Sequence, residues 1–174
     1  MIIAAVRNRE EYNSALLSSG KIIFDLSPSV LDLEEKVEKA HKHNKKIFIH
    51  LDLAEGIGKD RAGVCFVKKL GVDGIISTRV SVIKIAREEK LFTVQRFFIV
   101  DSQSINTAVE SVKSSKPDMV EIMPGVVEKV IKSMKEKVSV PIIAGGLIET
   151  KDEIDSALKA GATAISTGKK EFWG

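Results

Sequence analysis

Eight short apolar runs, each followed by a stretch with helical periodicity, set the frame within which this chain can fold. The runs are IIAAV (2–6), KIIFDL (21–26), KIFIHLD (46–52), GIISTR (74–79), FTVQRFFIV (92–100), MVEIMP (119–124), VPIIAGG (140–146) and TAISTG (163–168). Most are near-continuous in apolar residues, the mark of strands buried on both faces of a parallel sheet. Between them lie amphipathic segments such as DLEEKVEKAHKHN and TKDEIDSALKAG, which read as helices covering that sheet. Helical segments run through glycine straight into a strand in SSGKIIFDL, KLGVDGIIST and KAGATAISTG. Glycine there supplies the left-handed residue past a helix end. The last two phrases are nearly identical, a half-unit repeat suited to a cyclic architecture.

Eight strands with crossover helices predict one α/β domain, residues 1–174, closed as a compact (β/α)8 TIM barrel; the competing architecture is an open doubly wound sheet. The 174 residues allow about 22 per unit, a small allotment beside the roughly 250 residues typical of the fold. Only KKEFWG follows the eighth strand, so the C-terminal helix is expected to be truncated. Phe172 and Trp173, or a second copy in a homo-oligomer, would cover the groove this leaves.

Hydrophobic residues make up 44% and charged residues 29%, the balance of an ordinary globular protein. No apolar run approaches the roughly 20 residues that span a bilayer, and no basic leader precedes the first strand, so neither a membrane partner nor secretion is expected. A single cysteine, Cys65, excludes an intrachain disulfide and fits a reducing, cytoplasmic setting. Its place in the amphipathic RAGVCFVKKLG makes it a packed thiol. The net charge of +3 permits an anionic ligand or nucleic acid without demanding either. With one Tyr and one Trp there is no platform for stacking successive bases, so RNA contacts would rest on lysine, arginine and shape.

Sites in parallel barrels lie at the carboxyl ends of the strands. Polar residues collect there: Asp25, His50 and Asp52, Ser77 and Arg79, Arg96, Asp101, and Glu121. The two-residue spacing within His50/Asp52 and Ser77/Arg79 puts each pair on one face of an extended strand. Each has a plainer reading. His50 can be a hydrogen-bonded core residue, Asp25 and Asp101 can cap helices, and Arg96 and Glu121 can form a structural ion pair. His50, Asp52 and Glu121 include metal-ligand types, but no dense metal motif appears, and neither metal nor other cofactor is expected.

A phosphate commonly sits in the loops after strands seven and eight of such barrels. AGGLIET and STGKK occupy those places, with Gly145 and Gly146 on one loop and Ser166, Thr167 and Gly168 on the next. Glycine lets an anion reach backbone N–H groups, and Lys169 adds charge. A phosphate site admits an isomerase or lyase acting on a phosphorylated triose, with Glu121, Asp52 or His50 as acid or base. Schiff-base chemistry is disfavoured, because Lys21 and Lys46 lie at strand starts and no lysine falls inside a strand.

The motifs HLDLAEGIGKDRAG, DGIISTR, TVQRFFIVDS, VEIMPG, PIIAGGLI and AISTGKKEFW occur in this order between about Ile22 and Trp173. In combination they resemble the glycerol-3-phosphate responsive antiterminators. The resemblance implies a regulator rather than a catalyst. Glycerol 3-phosphate would bind the protein, which then binds the leader mRNA of a glycerol operon and lets transcription pass a terminator. It implies ligand contacts by His50, Asp52, Arg79, Gln95, Arg96, Asp101, Glu121 and Pro124, with the phosphate loops at AGGLI and STG. One departure stands out: Gly168 occupies a position where a second serine is expected, which removes a hydroxyl donor. The RNA surface stays open, with Lys129, Lys132 and Lys135 on one helix and Lys42, Lys45 and Lys46 near HKHNKK as candidates.

Overall fold

The structure, a computed structural model, describes residues Met1–Gly174. Every expected strand forms: β1 (Ile2–Val6), β2 (Ile22–Asp25), β3 (Lys46–His50), β4 (Gly74–Ser77), β5 (Phe92–Phe98), β6 (Met119–Met123), β7 (Ile142–Gly145) and β8 (Ala164–Thr167). They pair in parallel and in sequence order, and β1 pairs with β8 to close the barrel. Seven helices alternate with them: α1 (Arg9–Leu17), α2 (Leu33–Lys42), α3 (Arg61–Lys69), α4 (Val80–Glu88), α5 (Ser102–Ser115), α6 (Glu128–Lys137) and α7 (Lys151–Lys159). The open-sheet alternative is thereby excluded. No helix is long and apolar enough to cross a membrane.

Most of the core lies between barrel and helices, built from the outward-facing strand residues such as Ile23, Ile49, Ile75, Val120 and Ile142. The alternate residues fill the barrel itself, where Ile3, Phe24, Phe48, Ile76, Val94, Ile143 and Ala164 form a plug. Phe24 and Phe48 stack within it, with ring centroids 5.6 Å apart. One step of two residues further up the same inward faces, the side chains turn polar: Phe48 gives way to His50, Val94 to Arg96, Met119 to Glu121 and Ala164 to Ser166. The sequence thus fills the lower barrel with hydrocarbon and reserves its carboxyl end for polar groups.

Several expected strand ends prove shorter, because polar residues leave the ladder for turns. KIFIHLD stops being a strand at His50, and Leu51–Leu53 form a 3-10 turn. Asp52 therefore lies off the strand, and strand alternation does not fix which way it faces. The left-handed glycines are present at Gly71 (φ 87°) and Gly161 (φ 116°), the two halves of the near-repeat, but Gly20 is not left-handed, because α1 ends in extended backbone at Ser18. The eighth helix is reduced to a 3-10 turn, Lys170–Phe172. Trp173 fills its place: the ring is 2% exposed, Nε1 donates to the Thr167 carbonyl at 2.8 Å, and the Trp173 carbonyl accepts from Gly20 N at 3.0 Å.

Candidate ligand site at the mouth of the barrel

A cavity of about 360 Å³ opens at the carboxyl end of the barrel, between the loops after β7 and β8 and the ends of β1, β5 and β6. Gly146 and Leu147 on one side, and Ser166, Thr167, Gly168 and Lys169 on the other, contribute to its walls, with Arg96 and Glu121 also lining it. The amides of Gly146, Leu147 and Gly168 donate to no backbone carbonyl. Buried N–H groups are normally paired, so amides left open in a concave polar site suit an anion.

The two adjacent glycines have different causes. At Gly145 an added Cβ would come 2.4 Å from Glu121 Oε1, so this glycine makes room for the carboxylate. At Gly146 the backbone is left-handed (φ 77°) and a Cβ would lie 2.7 Å from Met123 Cε. Leu147 continues in the left-handed region at φ 60°, a conformation costing a residue with a Cβ on the order of 1 kcal/mol. Gly125 N donates to the carbonyls of Gly145 (2.6 Å) and Gly146 (3.1 Å), fastening this turn to the loop after β6. The β7 and β8 loops are joined as well, because the Thr167 hydroxyl donates to the Ile148 carbonyl at 2.9 Å. Thr167 faces outward and its hydroxyl is committed to this link, whereas Ser166 faces the barrel interior.

Helix α7 offers little to a ligand at its amino end. Thr150 Oγ1 accepts from Glu153 N, and the Glu153 carboxylate accepts from Glu149 N and Thr150 N. Those backbone bonds hold the Glu153 carboxyl below the usual carboxylate range. The loop amides ahead of the helix, rather than its first turn, are the open donors.

Arg96 and Glu121 meet across β5 and β6, with Nε donating to Oε2 at 2.7 Å and both side chains nearly wholly buried. Glu121 Oε1 is buried without a hydrogen-bond partner, lodged against Gly145. The cavity walls carry three cations, Arg7, Arg96 and Lys169, against two carboxylates, Glu121 and Glu149. Arg96 is matched by Glu121, and Lys169 Nζ stands 3.5 Å from Glu149 Oε1. The Arg7 guanidinium is matched by neither and leaves the site electropositive.

Arg7 escaped the sequence reading because it is the first residue beyond the apolar run IIAAV. The strand's alternation, with Ile3 and Ala5 facing inward, was the available signal. Its Nη1 lies 3.4 Å from where a Cβ on Gly168 would stand. The space left by the missing serine therefore adjoins a guanidinium.

The remaining expected residues divide. Asp25 belongs to the outward-facing set and points into the helix layer, where Lys36 Nζ donates to it at 2.9 Å. Asp101 is exposed and caps α5, its side chain accepting from Ser104 N at 2.7 Å within a reciprocal capping box. Arg79 is exposed at the start of α4, outside the cavity lining. Gln95 faces outward too, bonded to Ser115 at 2.5 Å. Asp52 ties the β3 and β4 loops together, accepting from Ser77 Oγ (2.5 Å), Thr78 N (2.7 Å) and Thr78 Oγ1 (2.8 Å). Burial pushes its carboxyl up, but the His50 imidazole and the Ser77 and Thr78 donors together overcome this and hold it well below the usual range. His50 lies 3.6 Å from Asp52, beyond hydrogen-bonding distance, and both its ring nitrogens are buried without partners. No three His, Cys, Asp or Glu side chains gather as a metal site would require.

Residues 2–173 match the glycerol-3-phosphate responsive antiterminators. The chain belongs to that family. A glycerol uptake operon antiterminator regulatory protein from Listeria monocytogenes superposes with a TM-score of 0.94 at 33% identity, over 99% of this chain and 94% of that one. A glycerol uptake operon antiterminator-related protein from Thermotoga maritima gives 0.89 at 30% identity, over 99% and 96%. The uncharacterised protein YgcP of Escherichia coli is 37% identical over 173 residues, covering 99% of this chain and 91% of YgcP. The antiterminator family thus extends over the whole barrel, mouth included.

Proposed function

We propose that this antiterminator-family chain senses glycerol 3-phosphate at the barrel mouth and, when loaded, binds the leader mRNA of a glycerol-utilisation operon so that transcription passes a terminator. The observation that carries the ligand half is the cavity between the β7 and β8 loops. Open amides at Gly146, Leu147 and Gly168 stand there beside Arg7, and the Ser166 and Glu121 side chains line the same cavity as polar partners for a hydroxyl. An anionic end and a hydroxyl-bearing end are the two things such a wall recognises.

The enzyme alternative receives less support. No strand residue facing the barrel interior above the apolar plug is a lysine, which weighs against Schiff-base chemistry. Glu121, the most buried carboxylate of the mouth, is already engaged by Arg96.

A ligand that binds only the folded state at a hundred times its Kd adds about 2.7 kcal/mol. For a chain of this length that raises the melting temperature by about 5–11 °C. Glycerol 3-phosphate is expected to do so and glycerol is not. Equal shifts from both, or from neither, remove the phosphate argument. Gel retardation of a glycerol-operon leader with and without ligand tests the regulatory half, and turnover of a phosphorylated triose without RNA binding would replace it by an enzyme.

A further inference from the structure

The amino-terminal end of the barrel, opposite the mouth, carries cations in left-handed turns at the ends of two helices. Basic residues in the last turns of the helices, such as Lys68 and Lys69 or Lys135 and Lys137, suit the negative end of a helix dipole and need no other cause. The turns that follow are different. After α2, α3 and α7 the chain passes through left-handed backbone at Asn44 (φ 54°), Gly71 (φ 87°) and Gly161 (φ 116°), residue types that tolerate it. After α4 and α5 the same passage is made by Lys90 (φ 63°) and Lys116 (φ 51°). A lysine is strained there where glycine would not be, and neither ammonium stands within salt-bridge distance of a carboxylate. An unpaired cation placed where glycine would be unstrained is available to a partner outside the fold.

The two turns adjoin. Arg87 Nη1 reaches the Ser115 carbonyl at 3.4 Å, and a cleft of about 420 Å³ opens beside them, lined by Arg87, Lys90, Phe92, Asp73 and Asp118 among others. The two acids of this cleft are hydrogen-bonded to the fold and balance Arg87 and Lys90 in charge, so the positive excess comes from Lys116, Lys21 and Lys46 around it. Asp118 accepts from Thr93 N and Oγ1, each at 2.8 Å, and Asp73 accepts from Ile47 N and lies 2.9 Å from His41 Nε2. Phe92 is 40% exposed, its ring braced from inside the barrel by Phe48 at a centroid distance of 5.4 Å. Lys21 and Lys46, exposed at the starts of neighbouring strands, extend the positive surface. Lys45 does not: it is buried, and its ammonium donates to the Ser18 carbonyl at 2.7 Å and to that of Gly20. One fixed, half-open ring cannot stack a run of bases, but it can hold one, with surrounding lysines on the phosphates.

We propose that this amino-terminal face, centred on Lys90, Phe92 and Lys116, is where the antiterminator grips single-stranded RNA, one base resting on Phe92. The inference rests on the RNA reading above and adds its location, at the far end of the barrel from the ligand. The test uses the full chain, saturating glycerol 3-phosphate and the transcribed leader of a glycerol-utilisation operon.

Replacing both Lys90 and Lys116 by glycine relieves backbone strain while removing charge. The double variant should melt no lower than wild type and keep its glycerol 3-phosphate shift. It should lose on the order of tenfold in RNA affinity at 0.15 M salt, and its plot of log affinity against log salt should flatten by about 1.4. Phe92→Leu should weaken binding without changing that slope. Wild-type affinity and slope in the double variant would overturn the assignment of the face while leaving RNA binding itself standing. Failure of the wild-type protein to bind the leader in a ligand-dependent manner would overturn both.

Discussion

Replacing Gly145 by alanine adds one methyl group, and its surroundings set the consequence. The new Cβ would stand 2.4 Å from Glu121 Oε1, 3.2 Å from Cδ and 3.3 Å from Cγ. Carbon and oxygen without a covalent bond approach to about 3.3 Å, so the carboxylate must retreat by roughly 0.9 Å. An exposed glutamate would simply swing away. Glu121 is 1% exposed, and its other oxygen is held 2.7 Å from Arg96 Nε. The displacement therefore falls on a buried charge-assisted hydrogen bond, worth about 1.5–3 kcal/mol. Outright removal of one member of such a pair costs about 3–5 kcal/mol and sets the ceiling. Gly145→Ala should thus destabilise by about 2–3 kcal/mol, a fall of about 4–12 °C in melting temperature for a chain of this size. The decisive assay is a double-mutant cycle by urea unfolding. In a Glu121→Ala background the obstructing oxygen is gone, and the same methyl should cost less than about 0.5 kcal/mol. An alanine equally costly in both backgrounds, or harmless in both, would refute the claim that this glycine exists to house the carboxylate.

Arg7→Gln should leave the melting temperature of the unliganded protein within about 0.5 kcal/mol of wild type, yet weaken glycerol 3-phosphate by roughly 10- to 100-fold through the lost arginine–phosphate contact; titration calorimetry showing unchanged affinity would remove Arg7 from the site. Asp52 is held below its ordinary range, so the stability it confers is fully present above the unfolded carboxyl's value of about 4 and lost as pH falls below it. Asp52→Asn should therefore flatten the acid limb of the stability–pH curve below about pH 5 and cost about 1–3 kcal/mol at neutral pH; an acid limb identical to wild type would assign that titration to another group.

The barrel was readable because each strand is apolar on both faces and each crossover is amphipathic, so period alone separates the elements. The lining of the candidate site was readable where the inward alternation holds, as at Arg96, Glu121 and Ser166. It was misread where a side chain's face was judged from proximity to a strand end. Phe24 packs inside the barrel, so Asp25 had to face the helices, and it meets Lys36 there. Asp52 lies in a turn that composition does not distinguish from a strand end. Asp101 with Ser104 is a capping box whose spacing was visible, and its side chain is spent on the backbone. The glycine pair could be noticed in the sequence, but the need for Gly145 arises from a glutamate some two dozen residues earlier, and only folding brings them together.

β5 carries the buried Arg96 at the ligand mouth and the half-open Phe92 at the opposite end, four residues apart and on the same inward face. At about 3.3 Å per residue, roughly 13 Å of strand separates them. β4 pairs with Phe92–Gln95 and β6 with Val94–Phe98, the two registers overlapping at Val94 and Gln95, and no turn or glycine interrupts the strand. Were a bound ligand to draw the arginine along the barrel axis, this strand would be the direct route by which the shift reaches the phenylalanine. If, as proposed, the mouth reads a small molecule and the opposite face a polymer, β5 links the two without a hinge or a second domain.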